Sequence, residues 1–411
     1  MSTESIAPPT RLASADVYRG FVMFLMMAEV LRLCTVAETM PGSAVWAFLC
    51  YHQSHVEWQG CALHDLIQPS FTFLVGVVLP FSLAARRGTG AKPVRETRAT
   101  PNASTEGIEW PLFRRALRRS LVLVVLGIFL RSLHSEQTNF TFEDTLTQIG
   151  LGYPFLFLLG YAPPKGQWVA LAVILVGYWL AFALFPLPEG FNYKAVDVPA
   201  DWPHHTTGFA AHWTKNSNLA WAFDTWFLNL FPREKTFLFN GGGYATLSFI
   251  PTLATMVLGL QAGNWLRRPL THQQKLRGFA VLGLAGLLLG WLLDATGICP
   301  NVKRIWTPAW VLFSGGWCAL LLALFYAVVD VWRVQKSFFI WKVIGMNSIA
   351  AYVLADTLTG FWSRSLHTHL GQGYDQVFGE AYAPVVNGFF VLAIEILILY
   401  TLYRQRIFIR I

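Results

Sequence analysis

The sequence predicts an all-α fold, a polytopic transmembrane helical bundle of about ten spans with both termini cytoplasmic. Three observations carry that expectation. Of 411 residues, 54% are hydrophobic and only 13% charged, about half the charged share of a soluble protein, so the apolar excess needs lipid around it. The apolar residues fall in runs of about 20, the length that crosses a bilayer. Lys and Arg are concentrated in alternate connections, as expected where positive charge marks the cytoplasmic side. The formal charge of +8 would suggest nucleic acid as the partner of a soluble protein. Here the basic residues sit between apolar runs, so the partner is the lipid bilayer and no nucleic acid is expected.

Taken in order, the spans are roughly 17–36, 66–85, 116–133, 146–162, 167–186, 246–265, 278–295, 309–330, 339–357 and 384–402. Met1–Thr10 is polar and contains proline, and the first long apolar run follows Arg19, so that run is expected to act as an uncleaved anchor. The connection 37–64 contains no Lys or Arg, whereas the next holds Arg86, Arg87, Lys92, Arg95, Arg98, Arg114 and Arg115. Arg267, Arg268, Lys275 and Arg277 mark the sixth connection, and Arg404, Arg406 and Arg410 the tail. Even-numbered connections are therefore expected in the cytoplasm. The segment 86–115 reads as a cytoplasmic loop and 187–245, rich in Trp, His and Asn, as an ordered outer cap; the whole chain, 1–411, is expected to form a single transmembrane domain. No internal repeat is evident, which weighs against an inverted-repeat transporter.

The first span carries two charge pairs. Asp16 and Arg19, one turn apart at its cytoplasmic start, suit a local ion pair. Glu29 and Arg32 lie deeper, where a charge costs about 2.5–3.5 kcal/mol, so they are expected to neutralise each other or to face a cavity and bind a substrate. Glu395, the one acid of the last span, is left without a role. Cys50, Cys61 and Cys299 fall in outer connections, where one disulfide among them or free thiols both fit, while Cys34 and Cys318 fall in spans. The run Gly241–Gly243 reads as a tight turn, because no Gly-Lys-Ser/Thr follows to make a phosphate cradle.

The stretch richest in chemistry is His52-Gln-Ser-His55-Val-Glu57-Trp58-Gln-Gly60-Cys-Ala-Leu-His64-Asp65-Leu, leading into the second span. An imidazole held beside a carboxylate serves as a general base or accepts an acyl group. Asp65 also suits a helix N-cap. A metal site from His52, His55 and His64 is the competing reading, but there is neither His-Glu-x-x-His nor Cys-x-x-Cys, so no metal is expected.

His55-x-x-Trp58-x-Gly60, followed by Asp65-Leu, Pro69, Phe71-x-Phe73 and Gly76, resembles the heparan-α-glucosaminide N-acetyltransferase family. Further likenesses follow in order: Ser14-x-Asp16-x-x-Arg19-Gly20, Gln148-Ile-Gly-Leu-Gly-Tyr153, Gly259 to Arg267, Lys303-Arg-Ile-Trp306-Thr307-Pro308 and Gly345-Met-Asn347. The resemblance implies a membrane enzyme that carries an acetyl group from cytosolic acetyl-CoA to an amino sugar across the membrane. It makes His55 the catalytic residue, and Asp65, which also holds a motif position, is assigned to catalysis as well. Asp16, Arg19, Trp306, Thr307 and Asn347 match motif positions assigned here to acetyl-CoA, and Glu29, Arg32, Trp58 and Asn240 are assigned to a sugar-like acceptor. Two departures stand out. The large lumenal domain of the animal enzyme has no counterpart, which suits a bacterial core in the inner membrane, with a homodimer as one possible assembly. Asn240-Gly-Gly-Gly-Tyr244 replaces the family's Asp-Pro-Glu-Gly, so heparan glucosamine is not implied as the acceptor. A transporter or flippase working through the intramembrane charges is the non-enzymatic alternative, and a zinc hydrolase the third.

Overall fold

The computed structural model describes residues 12–90, 109–187 and 190–409; the stretch 91–108 of the expected cytoplasmic loop lies outside them, as does Arg410. Among the described residues the fold is all-α, and no strand forms. The helices are α1 (Ala13–Met27), α2 (Leu33–Thr39), α3 (Ala44–Gln53), α4 (Ile67–Gly90), α5 (Trp110–Arg131), α6 (Thr145–Leu159), α7 (Pro164–Ala183) and α8 (Leu219–Phe227). They continue with α9 (Phe249–Arg267), α10 (His272–Ala295), α11 (Pro308–Phe325), α12 (Phe339–Met346), α13 (Ser348–Thr357), α14 (Thr359–Leu370) and α15 (Ala383–Arg404).

All ten predicted runs are helical, but they do not all have the character of a span. Among the described residues six helices are long and apolar enough to cross a membrane, or up to eight if two bent pairs each count as one span. The first bent pair, Ala13–Leu31 with Leu33–Thr39, turns by 42°; the second, Lys336–Met346 with Ser348–Thr357, turns by 73°. The other two predicted spans are α5, which carries Arg114, Arg115, Arg118, Arg119 and Arg131, and α6, which has only 15 residues. The protein is thus an integral, multi-pass helical membrane protein.

The chain packs as two compact units, one of residues 12–71 with 321–409 and the other of residues 72–320. In the first, Met23 and Met27 of α1 meet Val343 and Ile344 of α12, Ala350 and Ala351 of α13, and Leu392 and Leu399 of α15 in one apolar core. The α1–α12 crossing rests on two glycines. A Cβ on Gly20 would lie 1.6 Å from the Trp341 carbonyl oxygen, and one on Gly345 would lie 1.9 Å from that of Asp16. Only glycine lets two backbones approach so closely, the device by which membrane helices gain packing without a hydrophobic driving force.

In the second unit α9 is enclosed along most of its length, with every residue from Pro251 to Leu260 buried. By contrast α7 and α10 expose Val169, Val173, Val176, Val281, Leu284, Leu288 and Trp291, apolar faces suited to lipid. Residues 190–245, within the expected outer cap, fold as short helical turns around α8. Trp213 stacks on Phe182 of α7, and Asn216 donates to the carbonyls of Val196 and Asn240. Asn218 caps α8 by accepting from the Trp221 amide.

Within this unit Asp224 of α8 is buried, and one carboxyl oxygen accepts from the Thr246 amide at 2.9 Å while the other has no partner. Burial pushes the carboxyl up from its ordinary 3.8 to about 7, with Glu143 adding to the rise. The folded state therefore keeps a proton that the unfolded chain releases between about pH 4 and 7, and stability falls as pH rises through that window. Thermal unfolding in detergent is expected at a higher temperature at pH 5 than at pH 8, with up to about 1.4 kcal/mol lost per unit inside the window. Asp224→Asn should flatten that slope; an unchanged slope in the variant would exclude this carboxyl as its source.

Candidate functional site

The histidine-rich stretch folds as a loop, 54–63, between α3 and a short helical turn, His64–Leu66, that leads into α4. The loop closes on itself at several points. Gly60 takes a φ of 115°, open to glycine at little cost, and reverses the chain. At the base the Leu63 amide donates to His52 Nδ1 at 3.2 Å.

Asp65 is fully buried at the centre of this loop. It does not cap α4, as its place in sequence suggested, because the carboxylate turns back into the loop. One oxygen lies 2.9 Å from His55 Nδ1; the other accepts from the amides of Ala62 at 2.9 Å and Val56 at 3.2 Å. A carboxylate only accepts, so His55 Nδ1 carries the hydrogen, and in the neutral ring the lone pair is on Nε2. The His55 side chain remains 38% exposed while its partner is at 0%. A rigid, buried carboxylate behind a reachable imidazole is the arrangement of a general base or nucleophile.

A second histidine completes the cluster. His64 Nε2 lies 2.7 Å from Glu29 Oε1, and the rings of His55 and His64 are 4.7 Å apart between centroids. Glu29 therefore pairs with His64 and not with Arg32, which corrects the expectation of mutual neutralisation. The helical spacing is lost because the span breaks: Ala28–Leu31 is a 3-10 turn and Arg32 adopts a left-handed φ of 48°. Arg32 stands exposed at that break. The turn is held by α15, where a Cβ on Gly388 would lie 2.3 Å from the Val30 carbonyl oxygen.

α2 and α3 form a hairpin joined by a disulfide between Cys34 and Cys50. The pairing considered among Cys50, Cys61 and Cys299 is thereby corrected. Cys34 lies beyond the helix break and not inside a continuous span, so it reaches Cys50, while Cys61, Cys299 and Cys318 form no disulfide. Gln53, unremarked in sequence, ties the hairpin to the site by donating to the Ala28 carbonyl at 2.6 Å and accepting from the Leu33 amide at 2.7 Å.

The remaining candidates are mostly engaged in structure. Trp58 is fully enclosed and offers no open face to an acceptor. Asp16 and Arg19 approach to 3.7 Å, the expected pair at the start of α1. Asn347 stands at the α12–α13 break, donates to the Ile407 carbonyl and accepts from the Ile409 amide, and so fastens the tail to the bend. Trp306 and Thr307 belong to the other unit. Trp306 donates through Nε1 to Thr255 Oγ1, and Thr307 Oγ1 accepts from the Trp310 amide at the start of α11. Asn240, also there, closes the Gly241–Gly243 turn by accepting from the amides of Gly242 and Tyr244. It borders a tight polar cavity with Asn216, Asn218 and Asp224, sized for one water molecule. Glu395 is buried and accepts from Thr359 Oγ1. Among the described residues no group of three or more His, Cys, Asp or Glu is arranged to hold a metal.

No family model matches the chain. The chain is 23% identical to heparan-alpha-glucosaminide N-acetyltransferase of Homo sapiens over an alignment of 445 positions, covering 98% of this chain and 60% of that protein. It is 22% identical to the Mus musculus protein of the same name, covering 97% of this chain and again 60% of the relative. A shorter likeness, 31% over 144 positions, joins 34% of the chain to 25% of the GPI-anchored wall transfer protein 1 of Gibberella zeae. The chain thus spans about three-fifths of the length of the two acetyltransferases, at a distance that supports a broad kinship.

Proposed function

We propose that the protein is a membrane acyltransferase that moves an acetyl group from acetyl-CoA to an amino or hydroxyl group of a sugar-like acceptor, with His55 as the acting residue. The observation that carries this reading is the His55–Asp65 pair, 2.9 Å apart, with the imidazole reachable and the carboxylate buried. Asp65 fixes the tautomer and balances the positive charge that appears on the ring as it takes a proton or an acyl group. The long, low-identity likeness to an N-acetyltransferase supports the same chemistry.

The donor would approach from the cytoplasm and the acceptor from the opposite side, in a bacterial inner membrane. The Lys- and Arg-free connection 37–64 supports an outer position for His55. The Cys34–Cys50 disulfide supports it too, since such bonds persist in oxidising surroundings. Asp16 and Arg19 stand 13 and 10 residues before Glu29, roughly 20 and 15 Å along a helix, and would border the donor's far end. Trp306, Thr307 and Asn347, whose side chains are taken up in hydrogen bonds within their own units, would act on the donor only indirectly. Glu29 and Arg32 would meet the acceptor, Trp58 would wall the loop, and Asn240 would shape the cap.

Purified protein in proteoliposomes, given acetyl-CoA labelled in the acetyl group and a panel of amino-sugar and hydroxyl acceptors, is expected to transfer the label. His55→Ala should slow that transfer at least about 100-fold. Wild-type protein that neither binds acetyl-CoA nor labels any acceptor would overturn the reading; a fully active His55→Ala variant would remove His55 from it.

A further inference from the structure

We propose that His64, held by Glu29, is a second catalytic residue of the same site and delivers the proton to the departing thiolate. The inference rests on the acyltransferase reading above and assigns a partner to His55 within it. Its basis is a paired geometry. Two imidazoles stand 4.7 Å apart between centroids, and each has its own carboxylate, at 2.9 Å for His55 and 2.7 Å for His64. His64 is 4% exposed, but the Glu29 side chain is 56% exposed, so the second pair runs from the buried ring to the open side of the site. A neutral buried imidazole needs one acceptor, and Glu29 Oε1 stands where His64 Nε2 can use it.

The chemistry explains what a second pair adds. In acetyl transfer the acceptor nitrogen forms a bond to the thioester carbonyl carbon, the carbon–sulfur bond breaks, and the electron pair leaves on sulfur. The acceptor must lose one proton and the thiolate must gain one. With His55 taking the acceptor's proton, an imidazolium at His64 supplies the other, and one proton passes from His55 back to His64 before the next turnover. If the acetyl group first resides on His55 Nε2, that ring cannot take a proton there, and His64, already neutral after protonating the thiolate, accepts the acceptor's proton in the second step. Both routes balance, and both need His64.

Glu29 Oε1 is placed to accept a hydrogen from His64 Nε2, and the proposal gives that ring the proton to be delivered while His55 acts as the base. The other ionisable groups on these segments are Asp65 beside His55, His52 at the end of α3, Glu57 in the loop and Arg32 at the helix break. His52 accepts from the Leu63 amide, so its Nδ1 is neutral and bound there.

The test uses the full chain in proteoliposomes and reads acetyl transfer from acetyl-CoA against pH. Wild-type protein is expected to show a bell: the acidic limb reports His55 needed neutral, and the basic limb reports His64 needed protonated. His64→Gln should slow transfer about 100-fold, leave acetyl-CoA binding within about twofold, and lose the basic limb. Glu29→Gln keeps a hydrogen-bonding side chain without the charge; it should slow transfer about 10-fold and move the basic limb to lower pH. That variant decides the matter if His64→Gln fails to fold. A wild-type profile without a basic limb, or a bell unmoved in Glu29→Gln and in folded His64→Gln, would make His64 a packing residue and overturn the proposal. Wild-type protein inactive with every acceptor would instead remove the acyltransferase reading itself.

Discussion

Asp65→Asn is expected to lower acetyl transfer by at least about 1,000-fold while leaving most of the loop in place. The native carboxylate accepts from His55 and from two backbone amides. An asparagine can still accept from the amides through its oxygen, but its NH2 then faces His55 Nδ1. The imidazole must accept there and carry its hydrogen on Nε2, so the lone pair is turned away from the substrate. Asp65→Ala loses the same activity and more. It leaves the buried-side amides of Val56 and Ala62 without their partner, at a cost of about 1–3 kcal/mol each. The contrast is checked by measuring transfer rate and thermal unfolding together: both variants inactive, with only the alanine form clearly less stable. An asparagine variant retaining a tenth of the wild-type rate would show that the tautomer held by Asp65 is not what the reaction uses.

Gly345→Leu is expected to abolish folding of the first unit, and even Gly345→Ala should cost about 3 kcal/mol or more. A Cβ there would overlap the Asp16 carbonyl oxygen at 1.9 Å, and backbone cannot step aside as a flexible side chain can. Because α1 carries Asp16 and Arg19 at one end and leads to Glu29 at the other, separating it from α12 would also dismantle the site. Gly360→Ala is the matched control, since nothing lies within 4 Å of a Cβ at that position on α14. Size-exclusion profiles and thermal unfolding of the two alanine variants distinguish them. Equal stability of Gly345→Ala and wild type would refute the tight crossing.

Much of this was legible in one dimension. Apolar run length located the helices, because bilayer-spanning backbone must satisfy its hydrogen bonds internally. The histidine-and-acid cluster was legible because His52, His55, Glu57, His64 and Asp65 crowd one short stretch, though which acid meets which imidazole was not. The Asp16–Arg19 pair was legible too, since its spacing follows from a regular helix. What escaped lies where regularity stops. The Glu29–His64 contact joins residues 35 positions apart on two elements, so no local spacing announces it. The same break at Arg32 took Glu29 from its sequence neighbour and brought Cys34 to Cys50. The run 339–357 looked continuous, yet bends at Asn347, where the chain tail supplies the hydrogen bonds that hold the bend. The 3.6-residue period describes a helix that continues and gives no sign of one that is interrupted from a distance.

The bond between Cys34 and Cys50 also sets an order of events in the making of the protein. It closes the hairpin whose Gln53 binds the turn beside Glu29, so the histidine pair stands on a cross-linked foundation. On the proposed outer face the bond forms once both thiols have crossed the bilayer and met an oxidant there. Insertion of the helices into the bilayer therefore does not finish this molecule. Its maturation has a chemical step after translation, and protein made in a host that cannot carry out that oxidation would be inserted, helical and immature.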